Sequence, residues 1–177
     1  MGGELSTSAV RTFLTIVGDR LRNPASLVLL GGSGLSLLGN QRPTLDLDFN
    51  GEESEPGEFR RLLEQVAAEM HVEIEAVPLH RFIPLPQGAE GRHIPIEAFG
   101  KLMVFVFDPY SIALSKLDRG FDSDLEDVAF LLRQEWIDAE TLETMITDAT
   151  TLAAAFDLNP DDMRVRLELA MQTASRN

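Results

Sequence analysis

The spacing of apolar residues divides the chain into a mixed first part and a helical second part. In the first part, apolar residues recur at helical spacing over residues 5–22 and 58–70, which predicts two amphipathic helices. Short apolar or alternating runs, typical of strands, occur between and after these helices at residues 26–30, 44–50, 71–77, 93–99 and 101–107. The pattern therefore predicts a mixed sheet with helices for residues 1–107.

The segments between these elements are rich in turn residues. Residues 33–39 are predicted to form a short helix or a turn, and the polar stretch 51–57 is predicted to be a loop. Residues 78–92 contain three prolines and two glycines, which predict an extended loop with a strand fragment. Gly100 is predicted to form the turn between the last two strands.

The second part of the chain carries the start and stop signals of helices. Asp108 before Pro109 predicts an N-cap followed by proline at the first helical position, and Gly120 predicts the end of that helix. Three further helices are predicted, over residues 122–135 with Asp122 or Ser123 as the cap, over 138–156, and over 159–175. The predicted fold class is α+β, with an α/β core and N-terminal helix in residues 1–107 and a C-terminal helical region, residues 108–177, packed on that core.

Composition and charge limit the kind of protein this is. The chain has 177 residues, of which 44% are apolar, and it contains no cysteine, so disulfides and zinc–thiolate sites are excluded. We find neither a secretory signal nor an apolar run near the roughly 18 residues of a membrane span, and we expect a cytoplasmic protein without a membrane partner. The net charge of -14 weighs against a protein that mainly grips nucleic acid through its phosphates.

Two aspartates share one face of a predicted strand. Alternation in residues 44–50 places Leu45, Leu47 and Phe49 on one face and Asp46 with Asp48 on the other. Two like charges side by side repel, and a divalent cation such as Mg²⁺ is a common reason for a protein to keep them together. The alternative is an exposed sheet face with two solvated carboxylates.

A glycine-rich turn precedes the aspartate pair. Gly31, Gly32, Ser33 and Gly34 follow a predicted strand and precede a short helical segment. Glycines let a backbone approach a ligand closely, and the start of a helix offers N–H groups to an anion, so the turn is a candidate phosphate cradle. A plain strand-to-helix turn is the alternative. Together, a phosphate cradle and a metal-binding pair are what nucleotidyl transfer requires.

The stretch GGSGLSLLGNQRPTLDLDF, residues 31–49, resembles the signature of the DNA polymerase β-like nucleotidyltransferase superfamily. Its Arg42-x-Thr44-x-Asp46-x-Asp48 form is similar to the AbiEii-type branch, which includes bacterial toxin nucleotidyltransferases. That branch also has a downstream helix with a lysine and an Asp-x-x-Asp segment, and residues 116–120 (KLDRG) and 124–128 (DLEDV) are similar to these. The resemblance covers residues 28 to about 132 and implies a nucleotidyltransferase-like mixed β-sheet with a C-terminal helical bundle.

The resemblance also implies roles for individual residues. Asp46 and Asp48 would be catalytic metal ligands, and a third carboxylate would come from a later strand, where Glu75 is preferred over Glu73 and Glu97 is a third candidate. Nucleotide binding is implied for Gly31, Gly32, Ser33, Arg42, Thr44, Lys116, Arg119, Asp124 and Asp127. The alternative for Lys116 is a surface lysine paired with Asp118 or Asp127, and Asp124 has the alternative of serving the helix dipole.

We therefore expect a transferase that uses one or two Mg²⁺ ions to move a nucleoside monophosphate from an NTP to an acceptor. The implied setting is a toxin–antitoxin pair, with an antitoxin as protein partner and tRNA or a protein as target; the net charge disfavours tRNA. A first alternative is a catalytically weak or inactive binding or regulatory module of the same fold. A second is a domain without a ligand, in which core side chains would occlude the glycine turn.

Overall fold

The protein has the predicted α+β fold, described here by a computed structural model for residues 4–51 and 57–176. The five strands of the described sheet are β1 (Ala25–Leu29), β2 (Asp46–Asn50), β3 (Glu73–Val77), β4 (Ile94–Phe99) and β5 (Leu102–Val106). The α-helices are α1 (Thr7–Arg20), α2 (Gly31–Leu37), α3 (Glu58–Met70), α4 (Pro109–Arg119), α5 (Asp122–Arg133), α6 (Ala139–Ala149), α7 (Ala153–Phe156) and α8 (Pro160–Ser175). Within the described residues, none of these helices combines the length and apolar character that a membrane span needs.

The described residues fall into two compact units. The first contains the chain up to Pro78 together with His93–Phe107, and the second contains Leu79–Arg92 together with the chain from Asp108 onward. The sheet and α1 to α3 belong to the first unit, and α4 to α8 belong to the second.

The sheet of the first unit has the strand order β3-β2-β1-β5-β4 and is mixed. Strand β1 pairs in parallel with β5 and antiparallel with β2, whereas β2 pairs in parallel with β3. The core of this unit contains the apolar faces of α1 and α3, including Phe13, Leu14 and Leu63, together with Leu47 and Phe49 of β2. The predicted strands are thereby confirmed, with β4 and β5 joined at Gly100 in a left-handed conformation (φ 58°).

The second unit confirms the strongest helix signals of the sequence. The Asp108 carboxylate accepts hydrogen bonds from the N–H groups of Tyr110 and Ser111 at the start of α4, and Gly120 ends that helix at φ 72°. Asp108 is fully buried, and the Arg92 guanidinium binds both of its carboxylate oxygens at 2.8 Å. Asn159 caps α8, with its side chain accepting from the Asp162 N–H.

Several predicted element boundaries are wrong for local reasons. The first helix begins at Thr7, because the Ser6 hydroxyl caps it by accepting from the Ala9 N–H, and Leu5 instead pairs with Thr44. The loop 78–92 contains no strand and forms two short 3₁₀ turns, Leu79–Arg81 and Ala89–Arg92, since prolines remove the donors that a strand needs. The predicted loop 51–57 lies mostly outside the described residues.

The helical part also departs from the sequence pattern at two places. Helix α5 is preceded by Phe121, which makes no side-chain cap, rather than by a cap at Asp122 or Ser123. The single helix predicted over 138–156 is divided into α6, a 3₁₀ turn at Thr150–Leu152, and α7. Two consecutive threonines mark the division, and their hydroxyls donate to carbonyls of the preceding turn, as Ser and Thr do where helices bend.

We predict that Asp138→Ala lowers the free energy of unfolding by about 1 kcal/mol, as loss of an N-cap does. One Asp138 carboxylate oxygen accepts from the Thr141 N–H and the other from the Tyr110 hydroxyl, both at 2.8 Å. The Thr141 hydrogen bonds, supported by that of Tyr110, lower the pKa of Asp138 below its usual value. The contribution is therefore present above the unfolded-state pKa near 4 and is lost as the pH falls through the lowered folded-state pKa.

Urea unfolding of wild type and Asp138→Ala between pH 7 and pH 2 measures this effect. Asp148→Ala, at an exposed position of the same helix, is the control and should change stability by less than about 0.5 kcal/mol. A difference between wild type and Asp138→Ala that grows on acidification would contradict the assignment.

Candidate functional site

Three carboxylates of the first unit converge on the sheet. One oxygen from each of Asp46, Asp48 and Glu75 lies within 4.8 Å of the other two. Asp46 and Asp48 are half-buried, and Glu75 is exposed. Three negative groups at this separation form the donor set that a hard cation such as Mg²⁺ binds through carboxylate oxygens.

The register of two parallel strands creates this convergence. Asp48 of β2 is the direct partner of Glu75 in β3, and Asp46 precedes Asp48 by two residues on the same face. Leu47 and Phe49 point to the other face and are buried in the core. Leu45 departs from the predicted alternation: β2 begins only at Asp46, and the Leu45 side chain is 65% exposed.

Of the three glutamates considered from the sequence, the structure brings Glu75 to the aspartates. Glu73 is the strand partner of Asp46 but is not a member of the carboxylate group found among the described residues. Glu97 lies on β4 and forms an ion pair with Arg11. The arrangement therefore matches the preferred third carboxylate.

The two glycines of the turn lie against the aspartate strand. Helix α2 begins at Gly31 itself, whose φ is +54°, so the glycines open the helix rather than precede it. A Cβ at Gly31 would lie 2.2 Å from Oδ2 of Asp48, and a Cβ at Gly32 would lie 2.8 Å from Oγ1 of Thr44. A side chain at either position would therefore have to displace Asp48 or Thr44.

Ser33 and Thr44 direct their hydroxyls toward the aspartate strand. Ser33 is fully buried, and its Oγ accepts a hydrogen bond from the Asp48 N–H at 3.2 Å while donating to the Leu30 carbonyl at 3.1 Å. The Thr44 hydroxyl lies 3.1 Å from the Asp46 carbonyl oxygen and 3.5 Å from its carboxylate Oδ1. The inward direction of these hydroxyls has no signal in the sequence.

Arg42 lies in the loop that leads to this strand. Its backbone N–H donates to the Asn40 side-chain carbonyl at 3.3 Å, and the residue is half-buried. Arg42 and Thr44 thus belong to the same unit as the three carboxylates.

The other predicted nucleotide-binding residues form a buried ion-pair cluster in the second unit. Lys116 of α4 is only 4% exposed, and its Nζ lies 3.1 Å from Asp124 Oδ1 and 2.7 Å from Asp127 Oδ2 of α5. Arg119 donates to the same Asp124 oxygen at 2.6 Å from a side chain that is more than half exposed. The two cations and two carboxylates balance in formal charge.

One atom of this cluster is left without a hydrogen bond. Asp124 is 2% exposed, and its Oδ2 has no hydrogen-bond partner among the described residues. The alternative interpretation of Lys116 is a surface lysine paired with Asp118 or Asp127. Its pairing with Asp127 agrees with that interpretation, but the residue is buried rather than on the surface. Removing one member of the cluster would leave a buried charge without its partner. The ion pairs therefore stabilise the packing of α4 against α5.

A mixed sheet with clustered carboxylates on adjacent strands suits metal-assisted nucleotidyl transfer, and a family comparison agrees with this class. Residues 9–174 match the sequence profile of the family DUF6036, described as "Nucleotidyltransferase of unknown function", and the chain belongs to this family. Neither the curated proteins nor the solved structures give a match. The predicted membership of a nucleotidyltransferase superfamily is confirmed, and the AbiEii-type branch stays a prediction.

We predict that Lys116→Met lowers the free energy of unfolding by about 3 kcal/mol or more at pH 7, because it leaves two buried carboxylates without their shared cation. Urea unfolding measures the loss. Lys101→Met is the matched control, since Lys101 is exposed and its Nζ donates to the Arg22 backbone carbonyl rather than to a buried carboxylate. A loss below about 1 kcal/mol for Lys116→Met would show that the cluster contributes little to folding.

Proposed function

We propose that this protein is a Mg²⁺-dependent nucleotidyltransferase that moves a nucleoside monophosphate from an NTP to an acceptor hydroxyl. The observation that carries the proposal is the convergence of Asp46, Asp48 and Glu75 within 4.8 Å on adjacent strands. Membership of a nucleotidyltransferase family supports it independently of the geometry.

The donor set suits the proposed metal. Asp46, Asp48 and Glu75 would hold one or two Mg²⁺ ions, since Mg²⁺ takes a few carboxylate oxygens and completes its shell with water and substrate phosphates. When bound, the metal would neutralise triphosphate charge and lower the pKa of the attacking hydroxyl. Every ligand is an oxygen, which favours Mg²⁺ or Mn²⁺ over softer metals.

In the proposed reaction, the acceptor oxygen forms a bond to the α-phosphorus of the NTP. The bond from that phosphorus to the oxygen bridging to the β-phosphate breaks, and pyrophosphate leaves. Glu75 is the exposed member of the group, and we assign to one of its carboxylate oxygens the proton released by the acceptor hydroxyl.

Phosphate contacts are proposed at both the turn and the cationic side chains. The first N–H groups of α2, beginning at Gly31, have no acceptor within the helix and would bind phosphate oxygens. Arg42 is the proposed cation of the first unit. For Arg119 and Lys116 of the second unit, a phosphate contact rests on the resemblance alone; Arg119 is the more accessible, whereas Lys116 would first have to leave its two carboxylates.

A catalytically weak or inactive binding module is the alternative. Such a module would keep the nucleotidyltransferase fold, but its carboxylates would not need to converge. The observed convergence therefore favours an active enzyme over this alternative. Gly31 and Gly32 are half-buried rather than enclosed, which also disfavours a domain with an occluded turn.

The resemblance to AbiEii-type proteins implies a toxin of a toxin–antitoxin pair as the biological setting. An antitoxin would then be the protein partner. The charge of -14 favours an acceptor other than tRNA, because a tRNA-binding protein should carry a basic surface.

We expect NTP binding to depend on Mg²⁺ and to be lost in Asp46→Asn/Asp48→Asn, because the charges that recruit the metal are removed. Isothermal titration calorimetry of ATP, GTP, CTP and UTP, with and without Mg²⁺, measures this. Glu75→Gln should weaken Mg²⁺-dependent binding about 10-fold or more, and Glu73→Gln, on the same strand and face, is the matched control.

Three results would count against the proposal. The first is the absence of NTP binding by folded wild-type protein, and the second is binding that is equal with and without Mg²⁺. The third is a double aspartate variant that retains full Mg²⁺-dependent affinity. A loss in Glu73→Gln but not in Glu75→Gln would instead reassign the third carboxylate.

A further inference from the structure

A serine hydroxyl completes the hydrogen-bond ladder beside Asp48. Strand β1 ends at Leu29, the register partner of Phe49, and the chain then turns into α2. The Leu30 N–H still donates to the Asp48 carbonyl at 2.9 Å, as in an antiparallel pair. The reciprocal position, between the Asp48 N–H and the Leu30 carbonyl, is occupied by Oγ of Ser33, which accepts from the first at 3.2 Å and donates to the second at 3.1 Å.

The single proton of this hydroxyl has backbone acceptors within the protein. A serine hydroxyl carries one donor and two acceptor lone pairs. Ser33 is fully buried, and the acceptors within reach of its proton are two backbone oxygens, the Leu30 carbonyl at 3.1 Å and the Asp48 carbonyl at 3.5 Å. A hydrogen bond from Ser33 to a phosphate oxygen would have to break the contact with the Leu30 carbonyl and leave that carbonyl with one partner fewer, although Gly34 also donates to it.

The neighbouring glycine provides the space for the Asp48 carboxylate. The 2.2 Å separation between a Cβ built at Gly31 and Asp48 Oδ2 is far below any real contact, so every other residue type would displace that oxygen. The turn thus positions Asp48 in two ways. The Ser33 hydroxyl accepts a hydrogen bond from the Asp48 N–H, and Gly31 leaves space for the Asp48 carboxylate.

We infer that the side chain of Ser33 positions the metal-binding Asp48, and that its hydroxyl is not a ligand of the triphosphate. Gly31 acts with it by leaving room for the carboxylate. The inference rests on the proposed function, which supplies the metal, and it deepens that proposal by giving the Ser33 hydroxyl and the missing side chain of Gly31 a role toward the metal, while the proposed phosphate contacts of the turn stay with its backbone N–H groups.

The two roles of Ser33 predict different effects on metal binding without nucleotide. A positioning residue affects the affinity for metal alone, whereas a phosphate ligand affects affinity only when triphosphate is present. We expect Ser33→Ala to weaken Mn²⁺ binding about 10-fold or more without nucleotide, as loss of outer groups that orient metal ligands does. The readout is the electron paramagnetic resonance signal of free Mn²⁺ during titration of the full-length protein.

A matched control is available in the same helix. Ser36 is also buried, and its hydroxyl donates to the Ser33 carbonyl at 2.8 Å, so Ser36→Ala removes a comparable hydroxyl without touching Asp48. Both variants should lower the melting temperature, and only Ser33→Ala should lower the Mn²⁺ affinity. Ser33→Cys keeps the approximate size with a weaker donor and acceptor, and should give an intermediate affinity if Ser33→Ala does not fold.

The steric contact gives an independent test. Gly31→Ala should weaken Mn²⁺ binding by displacing Asp48 Oδ2. Its control is Gly39→Ala, because Gly39 also has a positive φ, of 103°, but no atom lies within 4 Å of a Cβ built there. Both variants then introduce backbone strain, but only Gly31→Ala displaces the Asp48 carboxylate. A difference in Mn²⁺ affinity between them therefore reports that displacement.

The outcomes distinguish a failure of the inference from a failure of the proposed function. Wild-type protein that binds Mn²⁺, together with unchanged affinity in Ser33→Ala or Ser33→Cys, overturns the inference alone. Unchanged Mn²⁺ affinity together with weakened binding of Mn²⁺–ATP would assign Ser33 to the phosphates instead. Folded wild-type protein that binds no Mn²⁺ overturns the metal site and the inference together.

Discussion

Repulsion among three carboxylates is the constraint around which the first unit is built. Two unit charges 4.8 Å apart disfavour one another by roughly 1 to 3 kcal/mol, depending on how much water screens them. The same alternation that gathers Asp46 and Asp48 on one face buries Leu47 and Phe49 on the other. Burial of the apolar face of β2 thus offsets the repulsion on its charged face, and the same negative charges would attract a cation.

The position of β2 inside the sheet makes this geometry rigid. Strand β2 lies between β1 and β3, so its backbone is held on both sides, and β3 contributes Glu75 through its register. Where β1 ends, Ser33 continues the hydrogen bonding by one residue. The Ser33 side chain is directed at the backbone beside Asp48. The phosphate contacts proposed for the same turn use its backbone N–H groups, so the two proposed roles involve different atoms of one short segment.

The sequence pattern predicted the features that follow from periodicity and helix caps, namely the helices, the strands and the residues that share a strand face. It did not predict the features that follow from strand register or from packing between elements. Alternation correctly placed Asp46 with Asp48, and the Asp108–Pro109 and Gly120 signals predicted the bounds of α4. The sequence favoured Glu75 among the three candidate glutamates only through the resemblance, because its approach to the aspartates depends on the pairing of β2 with β3, which no local pattern encodes. The division of the predicted helix 138–156 depends on threonine hydroxyls competing for backbone carbonyls, which helix periodicity does not report. The burial of Lys116 depends on the packing of α4 with α5.

The pairing of Arg92 with Asp108 joins the two chain segments that form the second unit. Residues 79–92 belong to the unit that resumes at Asp108, so the chain passes between the two units three times. A gene fragment encoding residues 108–177 would retain the fully buried Asp108 carboxylate and lose the guanidinium that binds both of its oxygens. Such a fragment would lack the bidentate ion pair at the start of its first helix. Exchange of this unit between relatives by recombination would therefore have to transfer two separate segments together.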